Sequence, residues 1–227
     1  MTLPAMKEGQ MDFSVMFAAM MEGLGCATWI FFVTLIGAVP LGIVVALARM
    51  SSFKPLAFVA RFYISILRGT PLMLQLLAFL VGPYFLFGAS MGTDWKYGAC
   101  ALGFILNYAA YFAEIYRSGI QSIPKGQYEA ASVLGYSRTQ TFFKIVLPQV
   151  IKRILPAMGN EIIVLVKDTS LAFIIGMGEL LSVTKAIAAS EASMLPYALA
   201  ALIYWVFCLI IEFIMGRVEK KLAYYHD

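Results

Sequence analysis

Apolar residues run through this chain in long blocks, with polar and charged residues gathered between them. A membrane-crossing helix needs about 20 mostly apolar residues. Five stretches meet that condition: Leu24 to Ala48, Ile64 to Phe87, Tyr97 to Tyr116, Ile154 to Met177, and Tyr197 to Met215. The fourth is interrupted by Glu161, Lys167 and Asp168. Phe13 to Met21 precedes the first span and reads as a short interfacial helix leading into the bundle. The pattern predicts an all-α polytopic membrane protein with about five spans. Residues 1–23 form an N-terminal segment, and 24–227 form one transmembrane domain.

Composition agrees with a bilayer as the solvent. Of 227 residues, 61% are hydrophobic and only 13% charged, where soluble domains average about 45–50% and 25%. The N-terminus mixes Lys7 and Glu8 with polar residues, so the first span reads as retained rather than cleaved. A net charge of +4 is too small to point to nucleic acid. The placement of the charges is more informative. Twelve basic residues follow the first, third and fifth spans, from Arg49 to Lys221, against Lys7, Lys96 and Lys185 on the other side. By the positive-inside rule the first set is cytoplasmic, the N-terminus outside and the C-terminus inside. Cys26, Cys100 and Cys208 are widely spaced in apolar runs and read as packed small hydrophobes. No Cys/His spacing suggests a metal, and His226 reads as a solvated tail residue.

The longest polar stretch, 117–153, is cytoplasmic on this reading. Tyr128 to Leu134 and Ser137 to Leu147 each predict a short amphipathic helix, with Ser137 as the N-cap of the second. Gly135 and Pro148 punctuate it. Within it, Glu129-Ala130-Ala131, Gly135, and then Ile145, Leu147 and Pro148 resemble the EAA signature of ABC importer permeases. Arg68-Gly69-Thr70-Pro71, the run Ala110 to Ile115, Ile123 to Gln127, and Lys167 to Leu171 resemble the polar amino acid uptake subfamily. The resemblance covers Gly23 to the C-terminus.

The resemblance implies a type I importer fold and a prokaryotic plasma membrane. It also implies a second permease subunit, identical or homologous, two ABC ATPase subunits, and an extracytoplasmic solute-binding protein. ATP and Mg would be bound by the ATPase; no G-x-x-x-x-G-K-[ST] run occurs in this chain. No catalytic site is expected, and neither the HExxH nor the GxGD run of intramembrane enzymes occurs. The EAA segment suits mechanical coupling. Ala130 and Ala131 permit close approach, Gly135 permits a sharp break, Glu129 can pair with a basic partner residue, and Ile145, Leu147 and Pro148 pack the element back onto the bundle.

Ionisable residues at membrane depth are functional-site candidates. Glu161, next to Asn160, and Asp168 lie seven residues apart and share a helix face. That face lines the substrate path or closes a structural network. Thr70, Gln75, Asn107 and Tyr111 are polar enough to line the same path, or to act as interhelical glue. Pro71 should break the second helix beside Gly69 and Thr70. Arg68, Glu114 and Lys167 read as gate or structural residues, and Tyr204 and Trp205 as interfacial anchors. The alternative function is an ion-gradient-driven secondary transporter using Glu161 and Asp168; it would favour inverted repeats, which the sequence does not display.

Overall fold

The computed structural model describes residues 12–89 and 92–222; Lys7, Glu8 and His226 lie outside the described residues. The helices are α1 (Phe13–Arg49), α2 (Lys54–Gly69), α3 (Leu72–Phe87), α4 (Trp95–Gln121), α5 (Lys125–Val133), α6 (Arg138–Thr141), α7 (Leu147–Asp168), α8 (Leu180–Glu191) and α9 (Leu195–Leu222). A π turn (Phe142–Val146) joins α6 to α7, and a 3-10 segment (Thr169–Ile175) follows α7. Helices α1, α4 and α9 are long and apolar enough to cross a membrane, and two helix pairs broken by short bends bring the count of spans to as many as five.

The 37 residues of α1 extend about 55 Å at 1.5 Å per residue, beyond a hydrocarbon core of about 30 Å. Phe13 to Met21 is the first part of this one helix rather than a separate interfacial element. Gly23 stands between the two stretches, but its cost of about 1 kcal/mol does not interrupt the backbone ladder.

Proline removes a backbone partner at two places in the second span. The second span breaks at Thr70 and Pro71, and α3 starts at Leu72 with Pro71 in extended geometry (φ −62°, ψ 133°). Proline lacks an N–H and pushes the preceding residue out of the helical region. The α-helical donor for the Leu67 carbonyl would be residue 71. Instead the side-chain amide of Asn107 donates to that carbonyl at 2.9 Å. A second proline shows the same chemistry. Pro83 cannot bond the Phe79 carbonyl, and the indole N–H of Trp95 donates to it at 3.1 Å. Gln75 donates to the Thr70 carbonyl at 3.1 Å and to the Thr70 hydroxyl at 2.8 Å. In a medium without water such substitutes are what make a break tolerable.

The chain forms two compact units. One contains residues 12–35, 70–105 and 163–210. Its core packs Met16 and Met20 of α1, Leu180, Val183 and Ile187 of α8, and Ala200 of α9. Gly23 lets α1 approach the backbone of α8: a Cβ there would lie 2.9 Å from the Leu180 Cα. The other unit contains 36–69, 106–162 and 211–222. It packs Ala46, Ile64, Ala110 and Ala113 in one cluster, and Ile123, Val146 and Val150 in another.

Two expectations change at the fourth span. Pro148 does not end the helix that starts at Arg138. The preceding π turn absorbs the irregularity, and helical backbone continues to Asp168. The span also stops being α-helical at Asp168 rather than Met177; the 3-10 segment and a left-handed Gly176 (φ 74°) intervene before α8.

If the Trp95 indole stands in for the N–H that Pro83 lacks, Trp95→Phe lowers stability by about 1 kcal/mol. In the Pro83→Ala background the same change has a smaller effect, because an alanine at that position supplies its own N–H. A double-mutant cycle on thermal unfolding in detergent checks this; equal effects in both backgrounds would contradict it.

A surface helix pair and the intramembrane polar residues

Helix α5 begins at Pro124, whose fixed φ of −59° suits a helix start. Its C-terminal end is set by Gly135 at φ +78°. There the Gly135 N–H bonds to the Ser132 carbonyl at 3.1 Å and the Tyr136 N–H to the Ala131 carbonyl at 3.0 Å, the 6→1 closure of a left-handed helix end. Ser137 then caps α6: its hydroxyl accepts from the Gln140 N–H at 3.3 Å, while the Gln140 side chain accepts from the Ser137 N–H at 2.9 Å. The α5–α6 corner is therefore fixed by its own backbone geometry.

That rigid corner faces outward. Glu129, Ala130 and Gly135 are exposed, and Ala131 alone of the EAA triplet is buried. Val133 is 89% and Leu134 73% exposed. Ile145 in the π turn and Leu147 and Pro148 in the first turn of α7 are half-buried. Two adjacent apolar side chains thus stand open on this turn.

The polar residues of the apolar helices make the following contacts. Glu114 of α4 accepts two bonds from Arg117, at 3.0 and 2.7 Å, and lies 2.7 Å from Arg49 Nε of α1. Arg68 does not take part in these contacts; its guanidinium sits 5.1 Å from the centroid of the Tyr111 ring. Asn107 is buried at the broken helix end and Gln75 is buried beside exposed Thr70. Asn160 is exposed and Glu161 half-buried on α7, within one unit. In the other unit Lys167 is exposed and Asp168 half-buried at the end of α7.

Three residues of consequence lie outside the candidates that the sequence offers. Arg49 and Arg117 enter there only as topogenic charges, although Arg117 stands three residues after Glu114, a spacing that signals a pair. Glu179 is the third. It is fully buried, caps α8 by accepting the N–H groups of Leu181 and Ser182 at 2.7 Å each, and accepts the Tyr204 hydroxyl at 3.2 Å. An acid immediately before the apolar run Leu180-Leu181 is a legible cap signal. Tyr204 is thus tied to α8, whereas Trp205 is 60% exposed, as an anchor would be.

The long apolar helices define a polytopic membrane protein with an exposed helical corner. Residues 38–224 match the family model of the binding-protein-dependent transport system inner membrane component. A probable amino-acid ABC transporter permease protein, YckA, of Bacillus subtilis (strain 168) is 42% identical over 212 residues, covering 92% of this chain and 91% of that protein. The arginine transport system permease protein ArtQ of the same organism is 40% identical over 203 residues, covering 89% of this chain and 91% of that protein. The crystal structure of an amino acid ABC transporter with histidines superposes at a TM-score of 0.83 with 34% identity, covering 93% of this chain and 99% of that chain. The chain belongs to the binding-protein-dependent transport system inner membrane component family. It is a multi-pass permease subunit of an ABC importer with the type I fold, and the ion-gradient alternative is set aside.

Gly135→Ala places a Cβ in the left-handed region at a cost of about 1–2 kcal/mol. Hydrogen exchange should quicken at the amides of residues 135 and 136 and stay unchanged in α4. Unaltered exchange at the corner would show that Gly135 does not set its geometry.

Proposed function

We propose that this chain forms one half of the membrane pathway of an ATP-driven importer of amino acids. The exposed α5–α6 corner seats in an ATPase subunit. The observation that carries the reading is this corner: small Ala130, a left-handed Gly135 and the open pair Val133 and Leu134, on backbone that cannot relax away from a load.

ATP and Mg are bound and ATP is hydrolysed on the partner. The movement that follows passes through α5 and α6 into α7, because helical backbone is unbroken from Arg138 to Asp168. The pathway is completed by a second permease subunit, identical or homologous, and is loaded by a solute-binding protein. The basic residues flanking the corner, and Lys220 and Lys221 in the last turn of α9, support a cytoplasmic location for the corner and the C-terminus.

Amino acids as the substrate class are supported by the names of the relatives, which include an arginine and an L-cystine permease protein. Substrates so different on similar chains favour a path that recognises the shared ammonium and carboxylate groups. Glu161, beside Asn160, supplies an acidic group for the ammonium. Asn107 and Tyr111, of the same unit, join Glu161 in this proposal, and Asp168, Gln75 and Thr70 are proposed as path residues of the other unit; Gln75 and Asn107 also hold the broken helix in shape.

Val133→Asp with Leu134→Asp should abolish co-purification of the ATPase and reduce ATP-dependent uptake in proteoliposomes more than tenfold. The permease should still elute as a folded species. Retained ATPase binding would overturn the coupling role. Glu161→Gln should lower uptake severalfold while ATP hydrolysis by the complex continues. Unchanged uptake would remove Glu161 from the path.

A further inference from the structure

By the charge pattern of the sequence, Lys96 and Lys185 belong to the sparsely basic side of the membrane, opposite the proposed coupling corner. The structure gathers the two, from helices far apart in sequence, onto one short segment. Lys96, in the first turn of α4, donates to the Gly176 carbonyl at 3.3 Å. Lys185, on α8, holds its ammonium 4.3 Å from the centroid of the Phe173 ring. Phe173 and Gly176 are the last turn and the cap of the 3-10 segment, so two cations flank a single turn within one unit.

Neither ammonium is ion-paired among the described residues. A carbonyl contact leaves Lys96 with two further donors, and a ring face leaves Lys185 with all three. Lys185 is exposed. Beside Lys96 opens a cleft of about 570 Å³ bordered by Tyr84, Phe85 and Thr93. Phe85 is 77% and Tyr84 61% exposed. The edge thus combines positive charge with an aromatic recess, the mixture expected where a polar rim surrounds an apolar anchor point.

We infer that Lys96 and Lys185, with the recess beside Lys96, form the docking edge for the solute-binding protein, through acidic side chains on that protein. This rests on the proposed orientation, which puts the edge outside. Two observations favour this occupant. The family takes its name from a binding protein. The two lysines leave donors open for carboxylates. Charge pairs at such a rim act chiefly on encounter rate and specificity and weaken with salt.

The test uses the whole importer, permease pair with ATPase subunits, in nanodiscs of neutral lipid. ATP hydrolysis is followed against the concentration of purified binding protein at low and high salt. Lys96→Glu with Lys185→Glu should raise the half-stimulating concentration about tenfold at low salt, the equivalent of about 1.4 kcal/mol, and much less at high salt. Lys→Gln at both positions should give a smaller shift with the same salt trend. An unchanged half-stimulating concentration, or a shift that ignores salt, would overturn the proposal. So would a shift seen only with anionic lipid, which would assign the edge to a phospholipid headgroup. If wild-type permease fails to assemble with an ATPase at all, it is the importer reading that fails, and that result is visible before any binding protein is added.

Discussion

Every backbone carbonyl and amide in a hydrocarbon environment needs a partner, and the shape of this protein follows from how that demand is met where helices stop. Pro71 and Pro83 each deny a carbonyl its usual donor, and Asn107 and Trp95 supply one. The N-terminal amides of α8 are met by the Glu179 carboxylate. Polar side chains at membrane depth are therefore largely backbone substitutes. Without them the second and fourth spans would have to be straight. Straight spans would offer neither the turn around Gly176 nor the irregular polar backbone at Thr70.

The same demand explains why the coupling corner stands where it does. A left-handed glycine and a serine cap satisfy the α5–α6 turn internally, so the turn asks nothing of lipid or of the bundle. Its apolar side chains are left for a partner. From there α6, the π turn and α7 form uninterrupted helical backbone. A displacement at Leu134 has a continuous helical route to Glu161, with the π turn and Pro156 its compliant points.

Much of this is legible in the sequence, for reasons that differ by element. The five apolar stretches announce themselves because lipid tolerates little else over 20 residues. The break at Thr70 and Pro71 follows from proline chemistry alone, and Ser137 and Gly135 occupy the positions that cap geometry prescribes. The corner is readable from ordered spacing, since Glu129 to Pro148 must keep register to fold as two helices. What stays hidden depends on tertiary contact. Helix α8 is obscured because Lys185 and small residues dilute its apolar stripe, although Leu180, Val183 and Ile187 are spaced for a buried face. Glu179 is easily overlooked because it stands at the edge of an apolar run, where an acid looks ordinary, rather than inside one. Arg49 reads as a topogenic charge, and only the approach of α1 to α4 reveals it as a partner of Glu114. The structure likewise revises Asn107 and Gln75, whose amides are engaged with carbonyls at the broken helix.

The central claim is that the α5–α6 corner is the point where an ATPase pushes on this chain. Site-directed cross-linking tests it most directly. With the three native cysteines replaced, Leu134→Cys should form a disulfide with cysteines along a surface groove of the co-expressed ATPase, and the yield should change when ATP is trapped on the complex. If position 134 cross-links only to lipid-embedded helices, or not at all while the importer is active, the corner is not the coupling element.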